Sequence, residues 1–334
     1  MTTTTKQDPP SQGLSPERVL DAVEQCGYRC DGRLLALNSY ENRVYQVGIE
    51  DAKPVIAKFY RPNRWTDAAI LEEHQFADDC VEQEIPLIAP LTFNQVTLHR
   101  FNGFRFSLYK RYGGHAPNLD NPEHLEWLGR FIGRLHAVGS RFPFQHRLTL
   151  TPATFGHAGL KFLLENNFIP DEIKHNYQLA AQQVLEIVDQ QFAAHQHLPL
   201  IRLHGDLHVG NILWTDKGPH IVDLDDCMMG VAMQDIWMLL SGSENEMVLQ
   251  LNTIIKGYSQ FYDFDPISLN LIEALRSLRI LNYSAWLARR WHDPTFPKNF
   301  SWFNEPRYWE EQLYTLREQI ERMQTSQLVE LYNH

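Results

Sequence analysis

Two rhythms of apolar residues alternate along this chain. Behind Ser15-Pro16-Glu17, an N-cap hydroxyl with proline at the first helical position and an acid in the first turn, Val19, Leu20 and Val23 recur at helical spacing until Gly27 supplies a stop. Short apolar pieces at Leu34–Leu37, Val44–Val47 and Val55–Phe59 then read as strands, parted by the polar turns Asn38–Asn42 and Glu50-Asp51. Thr66 opens a helix that carries Ile70, Ala77 and Val81 and is bounded by Pro86. Leu91–Phe93, Val96–His99 and Phe104–Tyr109 are further predicted strands.

Gly113-Gly114 interrupts this pattern, and the rest is mostly of helical period. Asn121-Pro122 caps a predicted helix over Glu123–Val138, with Leu125, Leu128, Ile132 and Leu135 on one face. Helices are also predicted near 171–195, 233–262, 266–291 and 306–330. One strand-turn-strand island, Leu200 to Asp225, lies among them. The expected organisation is a loose Thr- and Pro-containing tail over 1–13, a small β-rich lobe over 14–112 with one central helix, and a larger helical lobe over 113–334. This is an α+β, two-lobed class.

Composition narrows the function. The 334 residues carry a net charge of −11, which argues against a sequence-independent nucleic-acid binder and means that an anionic ligand needs a local site. Cys26, Cys30, Cys80 and Cys227 show no C-x-x-C spacing and read as ordinary thiols. No secretory signal pattern and no apolar run of membrane-spanning length is present, so a cytoplasmic protein is expected. Without a heptad or a long apolar stripe, a monomer is the default.

The island carries the chemistry. It reads Leu203-His204-Gly205-Asp206-Leu207-His208-Val209-Gly210-Asn211-Ile212-Leu213-Trp214, then Ile221-Val222-Asp223-Leu224-Asp225-Asp226. Phosphoryl transfer needs a carboxylate for the attacking hydroxyl, and an amide oxygen and a second carboxylate to hold Mg²⁺ on the phosphates. Asp206 and Asn211 stand five apart, as in the protein-kinase catalytic loop, and Asp223 follows on the next strand end. His204 and His208 flank Asp206 and form a competing metal-ligand array. Imidazole suits zinc whereas Mg²⁺ prefers oxygen, so His204 reads rather as a structural hydrogen-bonder beneath the loop.

HGDLHVGNILW followed by IVDLDD resembles the signature of the aminoglycoside phosphotransferase and choline kinase superfamily, which has a protein-kinase-like fold. The segments LNSYENRVYQ, ILEEHQFA and DPTFPKNF are more closely similar to the bacterial stress response kinases, a family of cytoplasmic serine/threonine protein kinases. The likeness runs from about residue 15 to 310. It implies that Asp206 accepts or orients the acceptor proton, that Asn211 and Asp223 hold Mg²⁺ with Asp223 also catalytic, and that Lys58 grips the ATP phosphates. Glu73, which shares a helix face with Ile70 and Ala77, is preferred over Glu72 as the partner of Lys58. Ser39 takes the place of the phosphate-covering loop, and the adenine is expected against Tyr109 to Tyr112.

Read alone, Lys58 could be a surface lysine and Glu72-Glu73 a solvated pair. Asp225 and Asp226 either add charge at the metal or cap the next turn. Asp235 either braces the loop or is a plain helix acid, and Trp286, Arg289 and Arg290 either pack or contact substrate. HGD stands where protein kinases have HRD, DLD where they have DFG, and no A-P-E follows, so an activation loop ordered by phosphorylation is not expected. The implied reaction is transfer of the γ-phosphate of ATP to protein serine or threonine, including autophosphorylation. A small-molecule kinase for an amino alcohol or aminoglycoside and a catalytically dead nucleotide-binding scaffold are the alternatives.

Overall fold

A computed structural model describes residues 13–333, so the expectation for the tail lies, but for Gly13, outside the described residues. Helix α1 (Pro16–Glu24) starts where predicted, with the Ser15 side chain accepting from the Arg18 backbone N–H. Five antiparallel strands follow: β1 (Cys30–Ala36), β2 (Arg43–Ile49), β3 (Val55–Phe59), β4 (His99–Phe101) and β5 (Phe104–Lys110), in the order β1-β2-β3-β5-β4. Side chains alternate across a strand. Val55, Ala57 and Phe59 of β3 and Phe106 and Leu108 of β5 join Val19, Ala22 and Val23 of α1 in one apolar cluster. The intervening Ile56, Lys58, Ser107 and Tyr109 therefore look the other way, and the register sets Lys58 opposite Val44 and Ser107.

Two predicted strands shrink. Leu91–Phe93 and Val96–His99 keep one isolated bridge, Phe93 to Val96, and of the second only His99 enters a strand. The reason is a tight turn with left-handed backbone at Asn94 and Gln95, which leaves no length for a ladder before β4 begins at His99.

Helix α2 (Asp67–Glu82), capped by Thr66, crosses the face that Lys58 presents. It does not belong wholly to the small lobe. Phe76, Ala77 and Cys80 enter the large apolar cluster of the helical lobe. Glu72 accepts hydrogen bonds from the backbone N–H groups of Gln145, His146 and Arg147 (2.6, 2.8 and 3.1 Å), and Asp79 pairs with buried Arg202 (2.8 Å). Between the lobes, His115 and Trp214 exchange two backbone hydrogen bonds (3.1 and 2.7 Å). Gly114 permits this approach, since a Cβ there would stand 2.8 Å from the Trp214 carbonyl oxygen.

The second lobe begins with α3 (Pro122–Gly139), capped by Asn121. An unpredicted π turn over Ala153–His157 runs into α4 (Ala158–Glu165), followed by α5 (Asp171–Ala194). The island forms β6 (Leu200–Leu203), β7 (Ile212–Thr215), β8 (Gly218–Ile221) and β9 (Met228–Val231), with β6 paired to β9 and β7 to β8. The helix predicted over 233–262 is divided into α6 (Gln234–Trp237) and α7 (Glu244–Tyr258). The first piece ends at Trp237, and after Gly242, at φ 91°, a capping box between Ser243 and Glu246 starts the second. Helix α8 (Ile272–Arg290) is preceded by a 3₁₀ turn over Pro266–Leu271. Helices α9 (Thr295–Asn299), α10 (Pro306–Thr325) and α11 (Leu328–Asn333) complete the lobe, with an extended Ser326 breaking the predicted 306–330 helix. Among the described residues no helix is long and apolar enough to cross a membrane.

Candidate active site

The turn after β6 is shaped by what lies beneath it. Asp235, fully buried, accepts from the backbone N–H groups of His204 and Gly205 (both 2.8 Å) and from His136 Nε2 (3.3 Å). Of the two sequence readings of Asp235, the brace is the one observed. Gly205 has φ 86°, and a Cβ there would collide with the Asp226 carbonyl oxygen and approach Met228 Cε to 2.8 Å. The arginine of the protein-kinase HRD triplet therefore has no room, which explains the glycine. Asp235→Ala should leave these buried donors without an acceptor and lower stability by about 3 kcal/mol or more in urea unfolding. A loss below about 1 kcal/mol would contradict the bracing role.

His204 joins the two functional turns. Its Nε2 donates to the Val222 carbonyl (2.8 Å), and its Nδ1 accepts from the Asp206 N–H (3.3 Å), which is the structural role and not a metal-ligand one. Asn211 closes the same turn: its Nδ2 donates to the Asp206 carbonyl (2.9 Å), leaving Oδ1 for another partner. The Val222 N–H donates to the Asn211 carbonyl (3.0 Å), so Asp223 emerges beside Asn211. At φ 63° Asp223 is in the left-handed region, which an aspartate tolerates, and its carboxylate accepts from the Asp225 N–H (3.4 Å). Its side chain is 53% exposed, open to the space between the lobes.

Lys58 is buried and meets three carboxylates: Glu73 and Asp225 at 3.1 Å and Asp223 at 3.3 Å. Burial alone would depress its pKa, but the pull of Asp225, Glu73 and Asp223 raises it well above the usual lysine value, so it is a permanent cation. Glu73 is the carboxylate at Lys58, with Arg147 3.8 Å from its other oxygen, whereas Glu72 is committed to backbone 145–147. Behind this pair Tyr60 bridges His74 Nε2 (2.8 Å) and the Tyr109 hydroxyl (3.2 Å). Burial and the nearby Lys58 push the His74 pKa down to about 3, so that imidazole is neutral. Tyr109 thus lies on the Lys58 face of β5 at the inner end of the inter-lobe strip. Tyr112 is exposed at the outer end, its ring 4.8 Å from that of His220.

The geometry adds residues that sequence reasoning missed. Arg64 pairs with both Asp225 and Asp226. Arg147 donates to the carbonyls of Cys227 (2.9 Å), Leu224 and Asp225, and stacks on Trp65 at 4.0 Å. Asp225 is therefore buried and neutralised, and neither a free ligand nor a simple turn cap. Ser39 is half-buried in the 38–42 turn, and that turn is held by its neighbour Glu41. Glu41 binds Arg290 (2.8 Å), Arg61 (3.1 Å) and the Trp286 indole N–H (2.6 Å). Burial opposes ionisation of Glu41, yet Arg64, Arg290 and Arg61 hold its pKa below the usual range. Trp286 and Arg290 accordingly clamp the turn, while Arg289 lies over the Phe162 ring at 5.3 Å. A third missed residue is Arg279 of α8, which pairs with Asp206, with His208 Nε2 at 3.5 Å on the other oxygen. Despite the opposing effect of burial, His208 and Arg279 keep the Asp206 carboxyl far below its ordinary pKa.

Comparison with known proteins identifies the family. Residues 33–269 match the model of the phosphotransferase enzyme family. Stress response kinase A of Escherichia coli (strain K12) is 44% identical over 313 residues, covering 94% of this chain and 94% of its own. The serine/threonine protein kinase RdoA of Salmonella typhimurium is 43% identical over 308 residues, 92% of this chain and 93% of that one. Among solved structures, a microcompartment-associated aminopropanol kinase superposes with a TM-score of 0.68 at 16% identity, covering 94% of this chain and 99% of that chain. Amicoumacin kinase in complex with AMP-PNP, Ca²⁺ and Ami gives 0.67 at 17% identity, covering 90% of this chain and 91% of that chain. At such identities the structural likeness speaks for the fold.

Proposed function

This chain belongs to the phosphotransferase enzyme family and groups with the stress response kinase A proteins, and from that premise we propose that it transfers the γ-phosphate of ATP to serine or threonine hydroxyls of proteins, its own chain included. The observation that carries the proposal is the meeting of Lys58 with Glu73 and Asp223 across the lobes, beside the turn that joins Asp206 to Asn211.

In this reading Lys58, fixed by Glu73, grips the α- and β-phosphates, and the Ser39 turn, held by Glu41, lies over the triphosphate. The adenine sits between Tyr109 and Tyr112. Asp206, kept ionised, is an acceptor-only carboxylate that orients the attacking hydroxyl in line and takes up its proton. Among the described residues no three His, Cys, Asp or Glu side chains form a metal cage. One carboxylate, Asp223, and one amide oxygen, Asn211 Oδ1, nevertheless fit Mg²⁺, an ion that keeps several waters and completes its shell with substrate phosphates. When bound it would neutralise charge on those phosphates. Positioning and electrostatics then supply most of the rate.

A protein acceptor is supported by the name of the Salmonella relative, and a role under stress by that of the Escherichia coli one. The test is incubation of the purified protein with γ-labelled ATP and Mg²⁺, alone and with protein, amino-alcohol and sugar acceptors, followed by mapping of labelled residues. Label on serine or threonine is the expected result. Label confined to small amines or sugars would assign a small-molecule kinase instead, and no transfer to any acceptor would leave a nucleotide-binding scaffold.

A further inference from the structure

The far side of Asp206 is basic. A cavity of about 430 Å³ opens there, lined among others by His208, Trp237, Ser241, Arg276, Arg279 and Arg322. Two of these, His208 and Arg279, are the groups that touch the Asp206 carboxylate, so whatever fills the cavity lies against the proposed proton acceptor. Its lining contains three guanidinium groups and no carboxylate, in a chain whose net charge is −11. Arg276 is fixed by Glu273 (3.4 Å) and by the face of Trp237 (5.5 Å), and its side chain is only 20% exposed. Arg322, from the last turn of α10, forms no ion pair among the described residues. Two of the three guanidinium groups are already paired, Arg276 with Glu273 and Arg279 with Asp206, while Arg322 is not, and the side chains that line the cavity include no acid.

A cationic amino alcohol or aminoglycoside would be repelled from such a lining, whereas an anion would find forked donors suited to planar carboxylate or to phosphate. We infer that this cavity is an acceptor subsite for acidic peptide, taking a carboxylate or phosphate side chain that lies within a few residues of the hydroxyl presented to Asp206. The span supports this: a residue of extended chain covers about 3.3–3.6 Å, so an acidic side chain adjacent to the acceptor or a few positions away reaches arginines that flank Asp206 itself. The inference rests on the protein-kinase reading above and names the sequence context that reading leaves open.

The experiment uses full-length protein, Mg²⁺-ATP and four serine peptides of equal length, flanked by Asp/Glu, by phosphoserine, by neutral or by Lys/Arg residues. The acidic peptides should have a KM at least about tenfold below that of the neutral one, and the basic peptide should be worst. Preference for phosphoserine or for Asp/Glu flanks distinguishes the two sources of negative charge, and either supports the subsite. Arg276→Gln combined with Arg322→Gln, two residues that do not touch Asp206, should erase the acidic preference by raising KM while kcat and the KM for ATP stay near wild type. A non-phosphorylatable acidic peptide, Ala for Ser, should compete with the acidic substrate in wild-type enzyme, a readout independent of whether the variant folds. Equal use of all four peptides overturns the subsite and leaves the protein-kinase reading intact. Transfer to small amines but to no peptide overturns both.

Discussion

Asp206→Asn is expected to lower phosphoryl transfer by about 10²–10³-fold while nucleotide affinity stays near wild type. The side chain is nearly isosteric, so the turn should persist: its shape is set by the hydrogen bonds from His204 and Gly205 to Asp235 and from Asn211 to the Asp206 carbonyl, none of which uses the Asp206 carboxylate. What is lost is an anion. Arg279 and His208 face one carboxylate in the wild type, and both can donate to it; an amide offers them one oxygen and turns donors of its own toward the cations. The acceptor hydroxyl then has neither a negative partner to align it nor a site for its proton. Single-turnover kinetics with pre-bound Mg²⁺-ATP would separate this from binding, and a rate within threefold of wild type would remove Asp206 from the mechanism.

Lys58→Met should act on both activity and stability. One ammonium holds three carboxylates, and two of them, Glu73 and Asp225, are themselves buried. Arg147 and Arg64 remain to compensate part of that charge. Deleting one member of a buried ionic group typically costs about 3–5 kcal/mol, because the partner's desolvation is no longer offset. The remaining arginines should keep the loss near the lower end. Transfer should fall by at least about 10²-fold, since in the proposed reading Lys58 is the cation that grips the α- and β-phosphates. Lys58→Arg is not a rescue: a planar fork replaces a compact point charge in a closed space. Urea unfolding and initial rates test the two effects separately, and a stable, active Lys58→Met protein would contradict the assignment.

Much of the scaffold was legible because its signals are local. Ser15, Thr66 and Asn121 each announce a helix by a hydroxyl or amide ahead of an apolar period, and all three caps are present. The division of the 233–262 helix has a local sign as well, since Ser243 and Glu246 stand at capping-box spacing behind Gly242. The π turn over Ala153–His157 has no comparable local mark. The spacing of Asp206, Asn211 and Asp223 is readable for the same reason as the caps: a short turn fixes all three.

The charges around those residues were not readable. Arg279 reaches Asp206 from 73 residues away, Arg64 reaches Asp225 from 161, and Arg290 reaches Glu41 from 249. Each is an arginine whose partner is defined only by tertiary packing, within the second lobe for Arg279 and between the lobes for Arg64 and Arg290. The choice between Glu72 and Glu73 was open on helical spacing alone, and it was decided by what each faces: Lys58 for one, the backbone at 145–147 for the other.

The attachment of α2 has a bearing on control. A helix with its greasy side sunk in the larger lobe and Glu72 gripping that lobe's main chain cannot swing outward to dismantle the lysine–glutamate couple without tearing the interior apart. Any outward displacement of α2 would have to break those contacts before Lys58 and Glu73 could part.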